Sequence, residues 1–125
     1  MEINTANDLY KFARDICEAS GFVLMDEPIY SRPIMLPRVV CKDGFSVSVQ
    51  AGKSLYSWPR EDLADYYTAF ELGYPSEREP LLDDWCERDF SDKEQDYTRS
   101  VYPFVPCGIV DAVFEKHGGI DRLGQ

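Results

Sequence analysis

The chain has 125 residues, of which 44% are hydrophobic and 14% aromatic, and its formal net charge is −10. This composition is typical of one folded domain with a hydrophobic core and argues against wholesale disorder. The negative charge disfavours direct binding to nucleic acid or to anionic membranes, because both require Lys and Arg to neutralise phosphates. No apolar run approaches the roughly 18 residues of a membrane span, and the first residues lack the pattern of a signal peptide, so we expect a cytoplasmic protein.

Cysteine and histidine content limits the metal and redox chemistry that the chain can support. The four cysteines (Cys17, Cys41, Cys86 and Cys107) are more than twenty residues apart, so none has the C-x-x-C spacing of a structural zinc site. In a cytoplasmic protein, buried free thiols are more common than disulfides. We therefore expect no metal site and no cofactor.

The first predicted element is an amphipathic helix over residues 5–20. Its apolar residues recur at helical spacing on one face: Leu9, Phe12, Ala13, Ile16 and Cys17. Thr5 and Asp8 have the spacing of a capping box, and Gly21 is expected to end the helix. Residues 22–25 have the composition of a short strand, and residues 26–37 contain three prolines, which predicts a connecting arm.

Residues 36–51 predict a β-hairpin. Two β-rich runs flank Asp43-Gly44, a dipeptide that favours a two-residue type I′ turn. With that turn, Lys42 would face Phe45, Val40 would face Val47, and Arg38 would face Val49. One face would then be packed by Phe45, Val47 and Val49, and the other would carry the more polar Ser46, Ser48 and Gln50.

Three further elements are expected after an irregular segment, residues 52–65. Residues 66–74 predict a strand with Phe70 and Leu72 on one face, and Ser76 with Glu79 forms a second capping-box pattern. That pattern precedes a short helix whose inward-facing residues would be Leu81, Leu82, Trp85 and Cys86. Residues 90–99 are predicted to form a mobile loop. Residues 101–105 are predicted to form the last strand, at a sheet edge because Pro103 lacks a backbone donor.

A final helix is predicted to begin at Pro106 and to end at Gly118-Gly119. Its buried stripe would consist of Ile109, Val110, Val113 and Phe114. Together the elements predict an α+β fold, with a three- to four-stranded, mainly antiparallel sheet and helices packed on one face. We expect an N-terminal helix and Pro-rich arm (residues 1–35) and an α+β body (residues 36–125), as a single compact domain overall.

Catalytic motifs are not evident in the sequence. His117 is the only histidine and falls in the last turn of a helix, where a cation complements the helix dipole, so a structural role is expected. A nucleophile pair of Cys41 with His117 is an alternative, although no cysteine is marked as activated. Adjacent acids such as Asp83-Asp84 favour a solvated face over paired catalytic carboxylates. No phosphate-binding loop, dinucleotide fingerprint or nucleophile elbow occurs, and we predict that the protein is not an enzyme.

Two segments are candidate binding surfaces. Residues 77–96 contain nine acidic residues against three basic ones, which would attract a partner with a basic surface, although many soluble proteins are acidic. The second segment, Tyr56-Ser57-Trp58-Pro59-Arg60, holds residue types enriched in binding hot spots; alternatively, Trp58 is a core residue beneath a loop. The candidate partner-binding residues are Tyr56, Trp58, Arg60, Tyr67, Asp83, Asp84, Glu87 and Asp89.

Five stretches form a larger pattern: the hairpin over residues 37–51, Trp58-Pro59-Arg60, Gly73-Tyr74-Pro75-Ser76, residues 101–106 and His117-Gly118-Gly119. This pattern resembles a family of small, uncharacterised proteins from phages and mobile elements. The resemblance covers about residues 36–120 and brings no established activity or catalytic residues. It implies a phage context, in which small acidic proteins are often inhibitors of host defence such as anti-CRISPR proteins, which place acidic surfaces on basic nucleic-acid channels.

The sequence therefore favours a non-enzymatic acidic interaction protein, an anti-CRISPR-like inhibitor that acts by nucleic-acid mimicry. Its partner would be a host protein or ribonucleoprotein with a basic surface, without direct binding to nucleic acid or membranes, and a homo-oligomer is compatible with this interpretation. An alternative is a protein that binds or sequesters a nucleotide signal, with Arg38, Arg60 and Arg99 on the phosphates.

Overall fold

The computed structural model describes residues 3–19, 35–87 and 96–124. Its helices are α1 (Ala6–Ala19) and α2 (Cys107–Lys116), with short 3₁₀ helices at Pro80–Trp85 and Tyr97–Arg99. The strands are β1 (Val39–Cys41), β2 (Ser46–Gln50), β3 (Ala69–Gly73), β4 (Val101–Pro106) and β5 (Ile120–Leu123). Within the described ranges, no helix has both the length and the apolar character needed to span a membrane.

The strands form one antiparallel sheet in the order β4-β3-β2-β1-β5. The α+β class is therefore confirmed, but the sheet of the described residues has five strands instead of three or four. The additional strand is β5, which pairs with β1 after Gly118 (φ +87°) and Gly119 (φ +92°) turn the chain back from α2. The sequence Ile-Asp-Arg-Leu does not alternate apolar and polar residues, so it carried no strand pattern.

The hairpin forms, but the predicted turn and register are wrong by one residue. Val39 pairs with Val47 and Val40 with Ser46. The turn has three residues: the N–H of Gly44 donates to the Cys41 carbonyl (3.0 Å), and Gly44 has a φ of +96°. The predicted register would have placed Lys42 opposite Phe45 on the core face. The observed register instead pairs the buried Cys41 with Phe45, the Cys41 N–H donating to the Phe45 carbonyl at 2.7 Å, and leaves Lys42 exposed.

Helix α1 packs on the body. Ala6, Leu9 and Tyr10 are buried, and the Tyr10 ring contacts the rings of Tyr67 and Phe70 at centroid distances of 5.0 and 5.9 Å. The predicted capping box is confirmed: the Asp8 N–H donates to Thr5 Oγ1 (3.2 Å) and the Thr5 N–H donates to Asp8 Oδ2 (3.0 Å). The buried stripe of α2 joins the same core, with Val110, Val113 and Phe114 buried and Ile109 half-buried.

The segment after β3 differs from its prediction. The cap of the 3₁₀ helix is Glu79, whose carboxylate accepts from the Leu81 N–H (2.9 Å), and not Ser76, whose hydroxyl accepts from the Ser46 N–H (2.9 Å). Leu82 and Cys86 are buried as predicted, but Leu81 is exposed and Trp85 is only half-buried. A 3₁₀ helix repeats every three residues, so it cannot present the apolar face of an α-helix.

The edge position of β4, predicted from Pro103, is confirmed. Several other predictions lie outside the described residues. These are the helix stop at Gly21, the strand over residues 22–25, most of the Pro-rich arm, Asp89, and residues 90–95 of the predicted loop.

Candidate functional site

We call three exposed aromatic side chains, Tyr56, Trp58 and Phe104, the aromatic patch: the rings of Tyr56 and Phe104 are in contact, and Trp58 follows Tyr56 by two residues. They are 46%, 61% and 42% exposed, so Trp58 is not the core residue of the alternative interpretation. The Tyr56 and Phe104 ring centroids are 5.7 Å apart. The Arg60 guanidinium carbon lies 5.6 Å from the centroid of the Tyr56 ring. Three of the predicted partner-binding residues, Tyr56, Trp58 and Arg60, are thus exposed in one segment, and the structure adds Phe104.

A loop that leaves and rejoins the sheet positions Tyr56 and Trp58. Strand β2 ends where Gln50 pairs with Glu71, and Trp58 then forms an isolated bridge with Ala69 of β3. Residues 51–57 therefore form a loop between two residues, Gln50 and Trp58, that both pair with β3. The buried Ser57 holds the base of this loop, since its hydroxyl accepts from the Gly52 N–H at 3.1 Å.

Phe104 reaches the patch through a β-bulge. The register between β3 and β4 shifts between Phe70↔Val105 and Leu72↔Tyr102, which leaves two residues, Pro103 and Phe104, opposite Glu71. Phe104 has a φ of +53°, in the left-handed region that bulky residues avoid. Its N–H donates to the Tyr56 carbonyl at 3.0 Å, so the bulge also ties β4 to the loop. The sequence signal for this feature was Pro103, because proline within a sheet is confined to edges and bulges.

Carboxylates occur in the same part of the sequence as the aromatic patch, and one of them, that of Glu71, is in contact with it. Glu71 is directly beneath it, and its Oε1 accepts from the Tyr56 N–H at 3.3 Å. Glu61 and Asp65 follow in the next loop and are exposed. Among the described residues, none of these three carboxylates takes part in an ion pair. Tyr56 of the patch therefore contacts both a carboxylate, that of Glu71, and a cation, that of Arg60.

Other predicted partner-binding residues do not join the patch. Tyr67 is fully buried, its hydroxyl accepting from the Ala64 N–H (3.0 Å) and donating to the Glu61 carbonyl, so its assignment to a partner surface is wrong. Asp83 forms a salt bridge with Arg78 (2.7 Å). Asp84 and Glu87 are exposed.

A second group of polar residues, the His117 cluster, consists of Asp43, Glu79, Lys116 and His117. His117 is 7% exposed, and its ring stacks on Phe45 with centroids 4.1 Å apart. Its Nδ1 lies 2.6 Å from Asp43 Oδ2 and its Nε2 lies 2.8 Å from Glu79 Oε1. Lys116 Nζ donates to the same buried Glu79 at 2.9 Å.

The electrostatics of this cluster favour a charged histidine. Burial opposes the charge, but the contacts with the carboxylates of Asp43 and Glu79 raise the pKa of His117 above its ordinary 6.5. Burial alone would raise the pKa of Glu79, yet hydrogen bonds from Leu81, Lys116 and His117 bring that pKa below its ordinary 4.5. The cluster is thus an internal ionic network, and its residues come from three distant parts of the chain.

This geometry argues against the alternative in which Cys41 and His117 form a nucleophile pair. Both ring nitrogens of His117 are engaged by carboxylates, whereas a general base needs a free nitrogen lone pair. Burial and the charge of Asp43 raise the pKa of the Cys41 thiol to about 11, which is the opposite of activation. Across the part of the chain that the structure describes, no group of His, Cys, Asp and Glu is arranged to hold a metal ion.

The three arginines of the nucleotide-binding alternative each contact a different part of the chain. Arg38 donates to Ser46 and Tyr74, Arg60 lies over Tyr56, and Arg99 pairs with Asp96. A surface groove of about 370 Å³ contains none of them, since it is lined by Ile3, Asn4, Lys42 and residues 120–123.

Comparisons with protein-family models, with curated proteins and with solved structures found no match to this chain.

Proposed function

We propose that the protein is a non-enzymatic interaction protein that binds a partner with a basic surface. The aromatic patch would form the centre of the interface, with Glu61, Asp65 and Glu71 at its rim. The partner class is a host protein or ribonucleoprotein of the cytoplasm. Binding would inhibit that partner by occupying a surface that otherwise holds nucleic acid, in the manner of an anti-CRISPR protein.

The observation that carries this proposal is Phe104. A phenylalanine with a φ of +53° costs about 1 kcal/mol or more of backbone strain, and its ring remains 42% exposed. Glycine or asparagine would adopt the same backbone more easily. Tyr74 has the same φ and is also exposed, so strain alone does not select a binding residue. Phe104 differs because its ring contacts that of Tyr56, at a centroid distance of 5.7 Å, and strain at a residue of an exposed aromatic group favours binding.

The charge around the patch favours one class of occupant. Carboxylates without an ion pair among the described residues attract Lys and Arg from a partner, and they repel phosphates. The Tyr56 ring already holds a guanidinium, that of Arg60, within the distance of a cation–π contact. Aromatic rings in contact with a carboxylate, here that of Glu71, thus suit the basic side chains of a nucleic-acid-handling protein.

The scaffold of the patch also suits an interface. Trp58 is held by backbone hydrogen bonds to Ala69, and Phe104 by one to Tyr56. Aromatic groups on a fixed backbone lose little conformational entropy on binding, which is the usual property of hot-spot residues.

The test compares Phe104→Asn with Tyr74→Asn. Both residues are exposed aromatics with a φ of +53°, but Tyr74 follows the opposite end of β3 and lies outside the patch. Asparagine tolerates this backbone conformation, so each variant should unfold within about 1 kcal/mol of the parent protein. Binding is measured by titrating a labelled arginine-rich peptide, with a glutamate-rich peptide as control, and by affinity capture from host lysate.

We expect Phe104→Asn to weaken binding about tenfold or more, in line with loss of a hot-spot residue, and Tyr74→Asn to leave it unchanged. Binding should also weaken between about 50 mM and about 500 mM salt, because exposed charges are screened. Equal affinity of the two variants, or binding that is insensitive to salt, would contradict the proposal. Thermal stabilisation by a nucleotide would instead favour the ligand-binding alternative.

A further inference from the structure

We infer that His117 is a pH-dependent link between the hairpin turn and the rest of the protein, and that loss of its proton releases Asp43 while the contact with Glu79 remains. This inference does not depend on the proposed binding function. It rests on the way in which the two ring nitrogens of one imidazole are divided between two carboxylates.

Hydrogen-bond stoichiometry shows why the link depends on the proton. A carboxylate is an acceptor only, so two carboxylates at 2.6 and 2.8 Å from the two ring nitrogens both require an N–H donor. Only the imidazolium ion has two. Neutral histidine has one N–H, and its other nitrogen would then direct a lone pair at a carboxylate oxygen, which is repulsive. One of the two contacts must therefore be lost when the proton leaves.

Burial determines which contact is lost. The side chain of Glu79 is 1% exposed, so its charge depends on the donors of Lys116, Leu81 and His117. The side chain of Asp43 is 47% exposed and can be solvated by water instead. Neutral His117 should therefore keep its proton on Nε2, towards Glu79, and expose its Nδ1 lone pair to Asp43.

The charges around His117 also favour release of Asp43 when His117 loses its proton. The hairpin contributes Asp43 and the exposed Lys42, the segment before the 3₁₀ helix contributes Glu79, and α2 contributes Lys116. Protonated His117 and Lys116 balance the two carboxylates in direct contact, whereas neutral His117 leaves one negative charge in excess. The Cys41 thiol is neutral near neutral pH, because burial and the charge of Asp43 raise its pKa to about 11.

Release of Asp43 would loosen the hairpin turn. That turn is joined to the chain after α2 by two backbone bonds, from the Lys42 N–H to the Gly119 carbonyl (3.0 Å) and from the Asp43 N–H to the His117 carbonyl (3.3 Å). The second bond is long, and its donor belongs to Asp43, whose Oδ2 loses the contact with His117 while its Oδ1 still accepts from the Phe45 N–H at 2.9 Å. Both amides should therefore become more accessible to solvent as His117 titrates.

The experiment follows the protonation state of His117 and the hairpin amides in the same samples. Long-range proton–nitrogen NMR spectra across pH 5 to about 10 report the charge and tautomer of the imidazole. Hydrogen exchange, expressed as protection factors so that the intrinsic pH dependence cancels, reports Lys42 and Asp43, with Leu82 as the reference amide. The matched variant is Asp43→Asn, which keeps the shape and turn-forming capacity of the side chain and removes its charge.

We expect the Nε2–H tautomer above the transition, and protection of the two hairpin amides that falls about tenfold as His117 loses its proton, the effect of about one hydrogen bond. The Asp43→Asn variant should titrate at a lower pH and show no such step. The inference is overturned if neutral His117 carries its proton on Nδ1, or if the hairpin amides keep their protection while His117 titrates. Both results are available from the unmodified protein.

Discussion

Replacing Glu79 with glutamine tests the His117 cluster most directly. The substitution keeps the volume of the side chain but removes its charge and converts one acceptor oxygen into an NH₂ donor. Three donors converge on the native carboxylate: the Leu81 N–H, Lys116 Nζ and His117 Nε2, at distances of 2.8 to 2.9 Å. A glutamine cannot accept from all three, so a buried imidazolium would be left with a repulsive neighbour.

The expected loss of unfolding free energy is about 3–5 kcal/mol, the usual cost of removing one partner from a buried ion pair. For a chain of this length, that corresponds to a Tm lower by roughly 12–20 °C. Urea denaturation followed by tryptophan fluorescence gives the free energy, and an unchanged m-value would show that the denatured state is not altered.

The control is Glu115→Gln, which removes an exposed carboxylate one residue before Lys116 and should change stability by less than about 0.5 kcal/mol. If Glu79→Gln unfolds within about 1 kcal/mol of the parent protein, the buried network does not stabilise the fold as its geometry indicates.

Three further outcomes are expected from the structure. Burial opposes the charge of His117, but the contacts with its two carboxylate partners outweigh burial and raise its pKa in the folded protein. The contribution of His117 to the free energy of unfolding is therefore complete below pH 6.5 and is lost as the pH rises through the raised pKa of the folded state. Urea denaturation at several pH values across this range should show that loss in the parent protein but not in His117→Gln. Tyr67→Phe should cost about 1–2 kcal/mol, since it leaves the buried Ala64 N–H without its acceptor, whereas Tyr56→Phe should change the unfolding free energy by less than about 0.5 kcal/mol. A thiol reagent at pH 8, followed by peptide mass spectrometry, should leave Cys41 unmodified in the folded protein, because burial and the charge of Asp43 raise its pKa to about 11; rapid labelling would return it as a candidate nucleophile.

Much of the local structure was predictable because it depends on residues close together in the chain. The capping box of Thr5 and Asp8 and the apolar stripe of α2 follow from spacings of three and four residues, and the structure confirms both. The packed face of the hairpin was also predictable, since alternation assigns Phe45, Val47 and Val49 to one side whatever the turn. The wetter face was predicted only in part, because Gln50 is buried and its side-chain amide pairs with the backbone of Leu36.

The candidate site was less predictable because its residues meet through pairing of distant segments. Tyr56 and Trp58 stood out by composition, but Phe104 joins them only through a bulge in β4, and Tyr67, of the same residue type as Tyr56, is buried. Nothing local distinguishes an exposed tyrosine from a buried one. That difference depends on which segments cover it.

The sequence alone determined the fold class, helices α1 and α2 and the packed face of the hairpin, because periodicity and capping act over a few residues. The tertiary structure decided the hairpin register, the fifth strand and the meeting of His117 with Asp43 and Glu79, which are 74 and 38 residues away in the chain. These features result from a choice among alternatives of similar local energy. Burial decides among these alternatives. The observed register keeps Lys42 exposed instead of opposite the buried Phe45, and the buried carboxylate of Glu79 is stabilised by cationic donors from the distant residues Lys116 and His117.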